Sequence, residues 1–165
     1  MGKVFKNELL GSAGAISHSA DEIVISLANK DNRDLPFGFP VFLNEDGSGV
    51  VGISTASNPA KFVGFAVRVP DKTPPVYDDP DGIGANNNAV YKKGDLVDIL
   101  VRGSMVVDAM GTIAKPGMPV YLNKVYGKVT AESSDNTLTV PGLYFRTVRD
   151  IGGRTEILVS ERHAQ

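Results

Sequence analysis

Gly38-Phe39-Pro40-Val41-Phe42-Leu43-Asn44 returns as Gly117-Met118-Pro119-Val120-Tyr121-Leu122-Asn123, 79 residues further on, with five identities and one aromatic exchange. Each copy sets a proline before an apolar run, and proline is harmless at a strand start, where no ladder hydrogen bond needs its nitrogen. After a turn one residue shorter in the second copy the offset becomes 78. Gly49 and Val51 then answer to Gly127 and Val129, Asn58 to Asn136, Gly64 to Gly142, and Arg68 to Arg146. Self-similarity of this kind constrains a fold more tightly than residue propensity does. Each unit reads as a strand, a turn and a returning strand, with Asn44-Glu45-Asp46-Gly47-Ser48-Gly49 as the first turn. A unit this small cannot bury its apolar face alone, so two copies should pack together.

Outward from the repeat, short runs rich in Val, Ile, Phe and Tyr are punctuated by 18 Gly and 10 Pro, the pattern of strands joined by turns. Ile23, Ile25 and Leu27 alternate with Val24, Ser26 and Ala28, and Val97, Ile99 and Val101 alternate with Asp98, Leu100 and Arg102. Period two buries one face of a strand. Further runs lie at 41–43, 50–53, 62–69, 105–107, 119–122, 143–148 and 156–159. Gly64 and Gly142 each precede an apolar strand and mark a bulge or a close backbone approach. The expected fold is all-β, a β-barrel or β-sandwich of about ten short strands from two repeated strand-turn-strand units, with an N-terminal arm.

The chain of 165 residues fits a single domain, with 42% hydrophobic and 22% charged residues, a balance typical of globular proteins. Seventeen Lys and Arg against 19 Asp and Glu leave a net charge of -2, which gives no whole-molecule attraction for phosphate backbones or anionic lipid. Nucleic acid and membrane are therefore not expected partners. The absence of cysteine excludes disulfides, thiolate nucleophiles and Cys-based zinc sites. No apolar run approaches the roughly 20 residues of a spanning helix, and the N-terminus lacks the apolar core of a signal peptide.

Two regions have no counterpart in the repeat. Residues 1–20 read as an extended arm, with Val4, Phe5, Leu9, Leu10 and Ile16 as its larger apolar residues and Gly11 to Ala15 as a flexible stretch. Burying five apolar side chains barely offsets the entropy of fixing such a segment, so an ordered arm should also pair its backbone with a sheet edge, its own or a neighbour's. Residues 21–165 form a single β domain with an inserted loop at 70–94. That loop holds Pro70, Pro74, Pro75 and Pro80, the acidic Asp78, Asp79 and Asp81, and Asn86-Asn87-Asn88. Long loops in compact domains usually serve a function, and these prolines lower the entropy of holding one shape.

The sequence offers little chemistry. His18 and His163 have no ligand pattern or nucleophile constellation around them, and Gly82-Ile83-Gly84 lacks the third glycine of a dinucleotide fingerprint. The Asp78, Asp79 and Asp81 cluster lacks the spacing and terminal Glu of a calcium loop, so it reads as a solvated acidic segment. Asp98 beside Arg102, and Arg68 matched with Arg146, read as exposed-face charges or inter-subunit ion pairs. Tyr77, Tyr91, Tyr121, Tyr126 and Tyr144 raise the idea of a sugar-stacking platform, although Tyr121 stands where the first copy has Phe42 and is explained by packing. No catalytic, cofactor-binding or metal-binding residue is expected, and the chain is not read as an enzyme.

At the repeated Gly-x-Pro-Val-Phe/Tyr-Leu-Asn motif, the Lys92-Lys93-Gly94-Asp95-Leu96-Val97 stretch and the strand ending Val101-Arg102-Gly103, the chain resembles the head cement, or capsid decoration, proteins of tailed bacteriophages. The resemblance spans roughly residues 20–160. It implies a β-rich virion structural protein that binds the outer surface of the major-capsid-protein lattice, often as a dimer or trimer. Such a protein cements the head against internal DNA pressure by bridging neighbouring capsomers, and it implies no reaction and no cofactor. The chain is then expected on the capsid outer surface after synthesis in the host cytoplasm. Val4, Phe5, Leu9 and Leu10 of the arm and Tyr77, Asn86, Asn87 and Asn88 of the loop are the expected capsid or subunit contacts. The alternative from another class is a carbohydrate-binding or fibre-type β module of a virion.

Overall fold

The alternation along the strands sorts their side chains into two cores. Val41, Val63, Ala66 and Ile99 fall in one buried cluster, while their chain neighbours Phe42, Phe62, Phe65 and Leu100 fall in the other, because successive side chains of a strand point to opposite faces. The computed structural model describes residues 12–17, 21–69, 90–148 and 153–160. Its strands are β1 (Ile23–Ala28), β2 (Leu35–Pro36), β3 (Pro40–Leu43), β4 (Val50–Gly52), β5 (Phe62–Ala66), β6 (Val90–Tyr91), β7 (Leu96–Asp108), β8 (Pro119–Asn123), β9 (Val129–Thr130), β10 (Thr137–Phe145) and β11 (Arg154–Val159). The expected all-β class is what the structure has, and the helical content among the described residues is one 3-10 turn, Pro59–Lys61.

Nine strands form one curled antiparallel sheet in the order β4-β3-β5-β7-β11-β10-β8-β9, with β1 also on β7. β3, the first copy of the motif, lies between β4 and β5, and β8, the second, lies between β9 and β10. Where the sequence suggests two strands at 96–102 and 105–107, β7 runs unbroken for 13 residues. Its Leu96–Arg102 portion pairs with β1, and Leu100 and Ile99 also face Phe65 and Ala66 of β5. From Gly103 onward it pairs with β11 instead. Gly103 has φ 126, a conformation that residues with a Cβ rarely adopt, and it stands at the handover between partners.

Both ends of the sheet are covered. Lys30 N donates to Val50 O at 2.8 Å beside the parallel bridge Asn29–Val50, and Met110 N donates to Val129 O at 2.9 Å beside the bridge Ala109–Val129. The short strands β4 and β9 thus avoid presenting open edges. Two glycines anticipated as bulges or close approaches differ in kind. Gly142, at φ 77, falls in the register shift of β10 between Thr139 and Tyr144, whereas Gly64 lets β5 approach β7 until an added Cβ would lie 2.0 Å from Leu100 O.

A two-stranded ribbon completes the fold: Leu35 faces Tyr91 and Pro36 faces Val90. The sequence reading assigned 90–94 to the inserted loop, but Tyr91 is core. It is 1% exposed, donates its hydroxyl to Val67 O at 2.6 Å and meets Phe37 edge-on at 5.4 Å. Tyrosine can be buried this way because its one polar atom is satisfied.

An ionic clasp fastens the segment after β1 to β4. Asp31 accepts from Arg33 Nη2 at 2.8 Å and from Gly52 N at 3.0 Å, and Arg33 Nη2 also donates to Ile53 O at 3.1 Å. Burial by itself pushes the Asp31 carboxyl up. The hydrogen bonds from the Arg33 side chain and backbone and from Gly52, with the guanidinium charge, outweigh burial and hold the carboxyl below its ordinary 3.8. A depressed folded pKa stabilises above the unfolded value, and that contribution fades as pH falls through the folded value. Asp31→Asn should therefore lower the denaturation midpoint at pH 7, and the gap from wild type should shrink below about pH 3.8. A gap independent of pH would assign the effect to shape instead of charge.

Candidate functional site

None of the eight expected contact residues can be placed: Val4, Phe5, Leu9, Leu10, Tyr77, Asn86, Asn87 and Asn88 lie outside the described residues, as do His18, His163, Asp78, Asp79 and Asp81. The described part of the arm is informative all the same. Gly14 N donates to Val106 O at 2.8 Å, Val106 N to Ala15 O at 2.9 Å, and Ser17 N to Ser104 O at 3.0 Å, around a bridge between Ile16 and Met105. Residues 14–17 thus line β7 on the sheet of their own chain. Ser17 Oγ donates to Glu156 Oε1 at 2.7 Å, Arg146 lies 3.6 Å from the same oxygen, and Arg146 Nη1 donates to Ser104 Oγ at 2.7 Å.

The stretch Ser12 to Ala15 is consequently not slack, contrary to the sequence reading. Gly14 is buried at φ 82, and a Cβ there would meet Phe37 Cβ at 2.8 Å and Arg68 N and Gly38 N at 2.9 Å. Gly14→Ala combines left-handed strain of about 1 kcal/mol or more with a backbone clash. It should release this segment while leaving the sheet folded, seen as faster amide exchange at Val106 with little change at Ile157. Unchanged protection at Val106 would show that the anchor does not depend on Gly14.

Asp98, Arg102 and Arg146, singled out by sequence, each meet a local partner. Asp98 accepts from Ser26 Oγ at 2.6 Å, and Arg102 lies 3.9 Å from Asp21. No group of three or more His, Cys, Asp or Glu that could hold a metal ion occurs among the described residues. A groove of about 330 Å³ lies between Phe42, Val51, Ser54 and Lys61, with Glu45 and Lys61 as its charged groups. The five-tyrosine platform loses Tyr91 to the core, while Tyr126 and Tyr144 are exposed.

The turn between β8 and β9 presents two neighbouring exposed apolar side chains. Val125 is 57% and Tyr126 63% exposed, and neither position is loosely held. Asn123 Oδ1 accepts from Val125 N at 3.0 Å and Tyr126 N at 2.9 Å, and Gly127 N donates to Asn123 O at 2.9 Å. Lys124 and Lys128 flank the apolar pair. In the first copy the corresponding turn is polar and acidic. Its Asp46 accepts from Ser48, whose side-chain and backbone hydrogen bonds hold that carboxyl below the usual range. Sequence reasoning overlooked Val125 and took Tyr126 only as part of a sugar-stacking platform, although the contrast between the two turns was a signal that could have paired them. A rigid exposed aromatic beside an aliphatic residue is the kind of surface that protein interfaces bury.

A model of the phage structural cement proteins, described as structural cement protein (E217 gp24/Pam3 gp6), matches residues 6–160. The chain belongs to that family. A chain from the capsid of Myoviridae phage XM1 is similar in structure, with a TM-score of 0.71 at 16% identity over 98% of both chains, a likeness of fold. The N base of the head fibre gp8.5 of bacteriophage phi29 aligns with a TM-score of 0.42 and 12% identity over 88% of this chain and 99% of that one. No curated protein sequence matches. The cement family is a structural one, so this chain is a phage virion protein, and the resemblance read from the repeated motif led to the right family. No helix among the described residues is long and apolar enough to cross a membrane.

Proposed function

We propose that this cement protein binds the outer surface of the assembled capsid through the major capsid protein and bridges neighbouring capsomers, so stiffening the head. Membership of the structural cement family over residues 6–160 is the observation that carries this reading. Contact is made by surface burial, and many copies on a repeating lattice gain by avidity, so that each contact can be modest. The arm supplies Val4, Phe5, Leu9 and Leu10 from a root fixed on β7 at residues 14–17. The loop supplies Tyr77 and Asn86 to Asn88, and the rigid Val125-Tyr126 turn adds an apolar contact flanked by cations.

The reading is tested on heads. Purified virions should carry the chain in a constant ratio to the major capsid protein, and heads lacking it should release DNA at lower temperature until the protein is added back. Deleting residues 2–11, which spares the anchor at Ser12 to Ser17, should leave a folded protein that occupies heads poorly. Full occupancy by the deleted form would remove the arm from the contact set. Absence of the chain from purified virions would overturn the whole proposal.

A further inference from the structure

The turn that joins β8 to β9 is built as a rigid mount. Every backbone N–H from Asn123 to Gly127 has an acceptor: Asn123 N donates to Lys128 O at 2.9 Å, Lys124 N to Asn136 O at 2.8 Å, Val125 N and Tyr126 N to Asn123 Oδ1, and Gly127 N to Asn123 O. Gly127 is buried at φ 66, and a Cβ there would overlap Cε2 and Cζ of Phe39. Cε1 of the same ring lies 2.9 Å from where a Cβ of Gly52 would stand. Phe39, from the first copy of the motif, is thus wedged between β4 and the turn of the second copy. Yet Val125 and Tyr126, the side chains this mount carries, keep more than half of their surface in solvent. Conformational freedom lost on folding is not lost again on docking, so a fixed, exposed apolar pair favours a partner of matching shape.

Charge narrows the kind of partner. Lys124 and Lys128 stand at either end of the apolar pair, and among the described residues neither is in an ion pair. Asp135 is the acidic neighbour, next to the Asn136 whose carbonyl takes Lys124 N. The equivalent turn of the first copy, Asn44 to Gly49, carries the exposed Glu45 and Asp46 and no large apolar side chain. The two equivalent turns of the duplicated scaffold therefore differ in sign, and a pocket rimmed by carboxylates accepts one and repels the other. Burying two such side chains is worth about 1.5–3 kcal/mol each, which suits one contact among many on a repeating lattice. A fluid lipid layer gains nothing from a rigid turn, and two cations neutralise too few phosphates for a nucleic-acid backbone.

We propose that the Val125-Tyr126 turn is a preformed plug for an apolar socket rimmed by carboxylates on the major capsid protein, with Phe39 as its positioning residue. The proposal rests on the capsid reading above and adds which of the two repeated units faces the lattice. It is tested by titrating heads that lack the protein with the full-length chain and measuring bound protein after sedimentation. Tyr126→Ser and Val125→Ser change exposed side chains, so each should keep the circular dichroism spectrum and weaken occupancy by about tenfold. Lys124→Glu combined with Lys128→Glu should weaken it as well, and wild-type binding should fall as sodium chloride is added. Glu45→Lys, on the equivalent turn, should leave occupancy unchanged. Phe39→Ala should speed amide exchange at Tyr126 and Gly127, with Ile157 still protected, and should lower occupancy with Tyr126 itself intact. A wild-type chain that does not bind heads would overturn the capsid reading and this inference with it. Heads filled equally well by the Tyr126→Ser form would overturn the inference alone and leave that reading standing. Binding to vesicles of phosphatidylserine and phosphatidylcholine that Tyr126→Ser abolishes, with head occupancy kept, would assign the turn to a lipid surface and equally overturn it.

Discussion

Phe62→Ala is expected to cost about 3–5 kcal/mol of folding stability. The ring is fully buried and meets Phe42 edge-on at 5.4 Å and Phe65 at 5.5 Å. These three rings belong to the cluster that also contains Leu122, Val129, Phe145 and Ile157 from the later strands. Truncating the middle ring leaves a cavity on both sides and removes two edge-to-face contacts, so the loss exceeds the transfer term of the deleted atoms. For a chain of this size the melting temperature should fall by about 10 °C. Phe62→Leu, which keeps much of the volume, should cost visibly less. A loss below about 1 kcal/mol for the alanine variant would mean that the aromatic cluster is not what joins the earlier strands to the later ones.

Gly64→Ala should be of similar size despite adding one carbon. The new Cβ would sit 2.0 Å from Leu100 O and 2.9 Å from Leu100 C and Ile99 Cγ2. Two of those atoms are backbone, so no side-chain rotation relieves the contact, and β5 must move away from β7. Overpacking that shifts backbone costs on the order of 3 kcal/mol. Gly47→Ala is the control: nothing lies within 4 Å of an added Cβ, and only φ 71 resists it, for about 1 kcal/mol. Equal effects of the two substitutions on the denaturation midpoint would show that backbone conformation, and not strand proximity, governs Gly64.

The strands that sequence made legible are those whose signal is local. Ile23 to Ala28 and Val97 to Arg102 alternate at period two, and the proline-led runs at 40 and 119 announce their own beginnings. β2 and β6 were illegible because each is two residues long and exists only by pairing with the other across a long intervening stretch. The continuity of β7 was hidden by Gly103, which reads as a terminator unless the change of partner strand is known. Gly14 sits among small residues that suggest slack, and only Phe37, Gly38 and Arg68, distant in sequence, make it indispensable. The surface was harder still. Exposure of Val125 and Tyr126 depends on how the Asn123 side chain folds the turn beneath them, while hydrophobicity alone would assign both to a core.

β7 also decides how tension travels through the molecule. One covalent backbone runs from the β1-paired portion to the β11-paired portion, with six residue pairs on each neighbour. A pull along that strand is borne in shear by rows of hydrogen bonds that must yield together, whereas a seam between separate units would peel one bond at a time. A pull along β7 therefore meets a stiffer response than a pull across the strands, which opens the sheet bond by bond.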